Sequence, residues 1–206
     1  VDRPLIVQYG SFLGRVVKGD FGDSFRYKSP ALDIVLERIP ATLELSFYSM
    51  VFATIIAIPM GIWSATRKNS ILDLFITGVS VLGRAMPNFW LGIMLILILS
   101  VNYQIFPVSG RGTWKHMVLP ALTLGVSIAA EMTRLIRSSM LEILQQDFIK
   151  TAKSKGLKDY LVIYKHAFTN SLIPVITIMA VQTSQLVGGA LVAETVFAWP
   201  GLGQLF

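Results

Sequence analysis

Four predominantly apolar stretches, residues 41–65, 71–101, 118–136 and 172–193, order this chain, with polar and basic segments between them. A bilayer core about 30 Å thick needs roughly 20 apolar residues at ~1.5 Å rise, and each stretch approaches that length. The first carries Glu44 near its start and Pro59-Met60-Gly61 toward its end. The second is longer than one crossing requires and is interrupted by Arg84, Pro87 and Asn88. Its pattern predicts an interfacial first part, a kink at Pro87, and a crossing part through Phe89 to Val101. The third begins with Leu119-Pro120 and has Glu131 and Arg134 in its last turns. The fourth mixes Gln182, Ser184, Gln185, Gly188 and Gly189 into its apolar run, a blend better suited to a helix interface than to lipid. Upstream, the tract 18–30 reads as a loop leading into a short helix over 31–38.

Between the third and fourth stretches the periodicity changes character. Leu141, Leu144, Phe148, Ile149, Ala152, Leu157, Leu161, Val162 and Tyr164 recur at helical spacing with Lys and Asp between them, predicting two short amphipathic helices. Gly156 follows Lys153 and Lys155, where a left-handed cap needs no Cβ and basic side chains face the negative end of the helix. A basic helix pair between two crossings lies on the membrane surface or in a partner's groove. Periodicity leaves both readings open.

Composition makes the membrane assignment firm. Hydrophobic residues are 53% of the chain and charged residues 15%, outside the range of a soluble domain, so the expected fold class is all-α, a polytopic helical membrane protein. The net charge of +6 could suggest nucleic acid, but the Lys and Arg residues cluster in loops flanking apolar runs, and no nucleic-acid partner is expected. One set of loops holds Arg67, Lys68, Arg134, Arg137, Lys150, Lys153, Lys155, Lys158 and Lys165, and the opposite set only Arg111 and Lys115. The first set is therefore cytoplasmic and residues 1–40 form an external segment ahead of a membrane core over 41–206. Residues 1–40 carry Arg3, Arg15, Lys18, Arg26, Lys28 and Arg38, nearly balanced by Asp2, Asp20, Asp23, Asp33 and Glu37. The chain opens at Val1 on a polar stretch without the architecture of a signal peptide, and reads as a fragment with spans missing at either end.

Candidate chemistry is sparse. Cysteine is absent, and the two histidines, His116 and His166, fall on opposite sides of the membrane in this topology. No phosphate-binding G-x-x-x-x-G-K-[ST] loop occurs, so the chain is not its own ATPase, and no cofactor is expected in it. Ionisable groups in apolar runs mark either a pathway or an interface pair. Arg84, Gln182 and Gln185 are the candidates for a pathway or helix-interface role, with Glu44, Glu131 beside Arg134, and Glu194 placed at span ends. Three functions stay open on the residues alone: a transport subunit, an intramembrane enzyme or lipid-modifying protein, and a passive channel with a lipid-bound helix pair.

The blocks TRLIRSSMLEILQQDFIKTAKSKGL (133–157), HAFTNSLIPVITIMAVQ (166–182) and ETVFAWPGLGQL (194–205), with GDFGDSF (19–25) and ERIPATLELS (37–46) upstream, resemble the permease subunits of ABC importers in the dipeptide, oligopeptide and nickel branch. The resemblance spans nearly the whole chain. It implies a type I ABC importer permease bundle lacking its first and last spans. It also implies a second homologous permease subunit, cytoplasmic ATPase subunits and an external solute-binding protein as partners, besides membrane lipid. The segment 139–171 looks like the family's EAA coupling loop, with Leu144, Phe148, Thr151, Ala152, Lys155, Gly156 and Leu157 as the residues that meet the ATPase. Two positions depart from the family pattern. Lys150 replaces the glutamate that names the loop, and Thr169 stands before Asn170 where many relatives have Arg or Pro. A joint that passes force without a covalent bond needs apolar area, a rigid helix and small residues, which a Leu144–Phe148–Ala152 ridge with Gly156 would supply.

Overall fold

A computed structural model describes residues 4–17, 19–24 and 26–205, together with all side chains in that range except 187–189. Expectations resting on Arg3, Lys18, Phe25 or the side-chain packing at Gly188-Gly189 lie outside the described residues. The described secondary structure is helical: α1 (Leu5–Val16), α2 (Ala31–Thr66), α3 (Ile71–Ala85), α4 (Asn88–Leu95), α5 (Trp114–Leu144), α6 (Asp147–Ser154), α7 (Thr169–Gly189) and α8 (Leu191–Val196). Two π-helical stretches, Ile96–Asn102 and Leu161–Phe168, extend α4 and lead into α7, and a short turn, Leu202–Leu205, follows α8.

α2 and α5 form the spine. At ~1.5 Å per residue, the 36 residues of α2 reach about 54 Å and the 31 of α5 about 46 Å, both beyond a bilayer core of ~30 Å. The sequence separates a short helix over 31–38 from a span over 41–65, but the structure runs one helix through Pro40. Proline removes one hydrogen bond from a helix, and here tertiary contacts at Ala41 and Thr42 hold the chain helical immediately after it. Lipid tails give no hydrophobic drive for one helix to leave them for another, so close packing must hold the pair. α2 accordingly buries a row of small residues, Ser49, Ala53, Ala57, Gly61 and Ser64. A Cβ on Gly61 would lie 2.6 Å from Ile136 Cβ, and one on Gly125 would lie 2.5 Å from Phe52 Cδ1.

The second apolar stretch breaks where Pro87 predicts, with α3 and the α4 segment meeting at 102°. α3 buries Asp73, Ile76, Ser80 and Gly83 along one stripe and lies along α5, with Gly83 near Val126 and Ala130. The third stretch also differs from expectation. α5 continues to Leu144, so Glu131 and Arg134 sit in mid-helix instead of its last turns, and Arg137, counted above as a loop residue, is inside the same helix. Burial of Met140 at 0% exposure shows why the helix continues, since its last turns pack into the bundle. The second predicted amphipathic helix likewise merges into the fourth apolar stretch through the π-helical Leu161–Phe168.

Candidate functional site

Arg84 from α3, Glu131 from α5 and Gln182 from α7 converge. Arg84 Nη1 lies 2.7 Å from Glu131 Oε2, and Gln182 Nε2 donates to the same oxygen at 2.8 Å. Three helices are thus tied by one carboxylate oxygen. Two of the residues singled out as candidate pathway or interface positions, Arg84 and Gln182, are brought together by a third, Glu131, that the sequence places at a span end. Gln182 is buried, while the side chains of Arg84 and Glu131 keep 55% and 30% of their surface exposed. An ion pair this open is held as much by the shared hydrogen bond as by Coulomb attraction.

Arg84 borders two cavities. One, of about 540 Å³, is also lined by Thr77, Glu131, Arg134, Arg137 and Ser138. The other, of about 250 Å³, is lined by Asn88, Ser127, Gln182 and Gln185. Gln185, the third candidate, is exposed and joins this second cavity without touching the ion pair directly. The polar groups spread through separate apolar runs therefore line one seam along α3, α5 and α7.

At one end of α5, Arg137 clamps Asp73 through Nε to Oδ1 at 2.7 Å and Nη2 to Oδ2 at 2.8 Å. Ser64 Oγ donates to Oδ1 and the Asn69 N–H donates to Oδ2 at 2.9 Å, so the carboxylate is fully engaged. Ser70 caps α3 by accepting from the Asp73 N–H at 3.2 Å. Sequence reasoning missed this site. Its one legible signal is the cap residue Ser70 followed three positions later by an acid at the start of an apolar run.

The opposite end is closed by the ETVFAWPGLGQL block. Glu194, fully buried, accepts from Thr42 Oγ1 at 2.6 Å and from the Gly203 N–H. Thr42 Oγ1 in turn accepts from the Leu202 N–H at 2.9 Å, and the Trp199 indole donates to the Ala41 carbonyl at 2.9 Å. Arg111 pairs with Glu44 and lies over the Trp199 ring at 5.6 Å. Glu194 and Glu44 hold this end of the bundle together.

The surface helix divides its residues between two faces. α6 ends at Gly156, whose φ of +75° is the left-handed cap expected there, with its N–H bonded to the Lys153 carbonyl at 2.9 Å. Thr151, Lys155 and Gly156 are exposed, with Phe148 at 40% and Leu157 at 38% exposure. Ala152 is not on that face. It is buried at 8% exposure beside Ile149 at 1%, in the cluster that includes Val162 and Ala167, and Leu144 is half-buried. The expected Leu144–Phe148–Ala152 ridge therefore splits, because the chain itself covers the side of α6 on which Ile149 and Ala152 lie three positions apart, in the cluster with Val162 and Ala167, and Phe148 stands at the margin of that side. The histidines stay apart. His116 meets Thr113 at the start of α5, and His166 lies in Leu161–Phe168 beyond its far end.

Three helices of crossing length and one bent pair, tied by small-residue packing and a polar seam, make up a multi-pass helical membrane protein. The chain belongs to the family described as binding-protein-dependent transport system inner membrane component, which it matches over residues 57–206. It is 44% identical to the oligopeptide transport system permease protein AppB of Bacillus subtilis, over 100% of this chain and 69% of that one. It is 37% identical to the dipeptide transport system permease protein DppB of Escherichia coli K12, over 99% and 69%. It is 41% identical to the glutathione transport system permease protein GsiC of Pectobacterium atrosepticum, over 100% and 67%. Among solved structures, an inward-facing methionine ABC transporter superposes with a TM-score of 0.69 at 22% identity, covering 84% of this chain and 79% of that one. An amino acid ABC transporter superposes at 0.66 and 11% identity, covering 94% and 79%. Those two likenesses establish the fold, the type I ABC importer permease bundle. The chain is a multi-pass inner-membrane permease subunit of a multi-subunit ABC importer, and the enzyme reading is not favoured.

Proposed function

We infer that this permease carries short peptides or a related small solute, coupled to ATP hydrolysis on a separate subunit. Relatives named for oligopeptide, dipeptide and glutathione transport support the solute class. The partners in this reading are a second homologous permease, cytoplasmic ATPase subunits that hold ATP and Mg, and an external solute-binding protein that meets residues 1–40 and 102–117. Support for the second permease comes from the crossing-length stretch Leu161–Leu186, whose apolar window is only 22% buried within this chain.

The observation that carries the coupling role is the face α6 leaves open. Ile149 and Ala152 fasten the helix to the rest of the chain, while Phe148, Thr151, Lys155, Gly156 and Leu157 present apolar and basic surface around a sharp turn. A helix fixed on one side and open on the other passes rigid-body motion from a docked partner to α5 and α7. Ala152→Arg is a poor test, since it would force a charge into a buried site. Phe148→Asp and Leu157→Asp leave the inner face intact. In the complete importer, each is expected to release the ATPase subunits during purification and to lower solute-stimulated hydrolysis by at least about tenfold. Unchanged retention and hydrolysis would overturn the coupling role.

A further inference from the structure

The larger cavity beside the seam has an unusual charge count. Three guanidinium groups line it, those of Arg84, Arg134 and Arg137, against one carboxylate, Glu131. Arg137 is neutralised by Asp73 and Arg84 by Glu131. Arg134 has no acidic partner among the described residues. Glu131 uses only Oε2 for both Arg84 and Gln182, leaving Oε1 without a bond among those residues. A free cation and a free carboxylate oxygen thus border one cavity from positions three apart on α5, where Cβ atoms stand about 5–6 Å apart. The longer Arg and Glu side chains can spread their charges further than that. The volume of about 540 Å³ falls within the ~300–1,000 Å³ usual for small-molecule sites.

We propose that this cavity is a transit site for a zwitterionic solute, with the solute's ammonium on Glu131 Oε1 and its carboxylate on Arg134. The site deepens the short-peptide reading above and rests on it. A cation without a counter-charge at a cavity wall attracts an anion, and a passing carboxylate supplies one only while the solute is present. A zwitterion satisfies both ends at once, whereas a neutral solute satisfies neither. Arg84 sits at the junction with the second cavity and keeps Glu131 aimed at the solute's ammonium through the oxygen the solute does not use.

The test uses the complete importer in proteoliposomes with its own solute-binding protein and radiolabelled dialanine as the probe. At saturating receptor-bound dialanine, Arg134→Gln and Glu131→Gln are each expected to lower uptake about tenfold, the effect of losing one charge-assisted hydrogen bond. Solute-free ATP hydrolysis stays at the wild-type level in Arg134→Gln, and Arg134→Lys, which keeps the cation, stays within about threefold of wild type in uptake. Wild-type uptake by Arg134→Gln overturns the site. So does equal loss in Arg134→Lys and Arg134→Gln, or loss of solute-free hydrolysis together with uptake, since either result assigns Arg134 to packing. A fully assembled wild-type importer that carries no dialanine overturns the short-peptide reading and the site with it, whereas wild-type transport with unaffected variants removes the site alone.

Discussion

Arg137 grips both carboxylate oxygens of Asp73, at 2.7 and 2.8 Å, although the two residues are 64 apart in the chain. The pair pins the start of α3 against α5, and Ser64 and Asn69 add the end of α2 and the connecting turn to the same carboxylate. One acidic side chain, 6% exposed, therefore fixes the mutual placement of three helices.

Asp73→Asn should destabilise the permease by on the order of 3 kcal/mol, because the Arg137 guanidinium is left without its counter-charge in a poorly solvated site. Replacing both residues by apolar ones of similar volume should cost less than Asp73→Asn alone. Thermal unfolding of the purified protein in detergent, across the four members of the double-mutant cycle, measures both. A double variant weaker than either single one would contradict this account.

Glu194→Gln should cost about 2 kcal/mol despite its nearly identical shape. Both oxygens of Glu194 accept, one from Thr42 Oγ1 and the other from the Gly203 N–H, whereas a Gln amide offers one acceptor and one donor. Whichever way the amide turns, a donor faces a donor or the Thr42 hydroxyl must rotate away from its bond. Loss of the monodisperse peak in size-exclusion chromatography after mild heating is the readout, and wild-type behaviour would refute it.

Glycine substitutions should rank by what a new methyl group meets. Gly61→Ala drives a Cβ to 2.6 Å from Ile136 Cβ, an atom that cannot swing away, so α2 and α5 must part at a cost of about 1–3 kcal/mol. Gly203→Ala meets the Leu191 Cα at 2.4 Å and should be at least as severe. Gly78→Ala meets nothing within 4 Å and should be neutral or stabilising by up to ~1 kcal/mol through helix propensity. Melting temperatures of the three variants order them, and a destabilised Gly78→Ala would break the ranking.

At Gly156 the constraint is conformational, since the surrounding space is open but φ is +75°. Gly156→Val should cost about 1–2 kcal/mol locally, while Gly156→Asn, which tolerates the left-handed region, should cost less. Limited proteolysis across 145–158 should therefore cut the Val variant faster than the Asn variant. Equal cutting rates would mean that the cap does not hold the turn.

Helix positions were legible in the sequence because the bilayer imposes a length and an apolar requirement that each crossing must meet by itself. The break at Pro87 and the cap at Gly156 were legible for a different reason, as both follow from the local backbone needs of one residue. Helix ends were harder to read. Continuation of α2 through Pro40 and of α5 to Leu144 depends on Trp199, Glu194 and the packing around Met140, all distant in sequence.

The candidate seam was half readable. Arg84 and Gln182 stand out as polar groups in apolar runs, but nothing in the order of residues says that Glu131 joins them through a single oxygen. Periodicity found α6 but misjudged its faces, since an amphipathic pattern shows that a helix has two sides and not which of them the chain itself covers. Ala152 faces inward because the helix after it returns across α6 with small residues, a relationship between two elements.

The sequence by itself determined a multi-pass helical membrane protein, the helix α6 and its sharp turn, because hydropathy and backbone preference act locally along a chain in lipid. Tertiary structure alone decided which charges neutralise one another, which face of α6 is open, and that Arg134 borders a cavity without an acidic partner among the described residues. Those outcomes depend on helix rotation and depth, which are set by close packing between segments far apart in the chain.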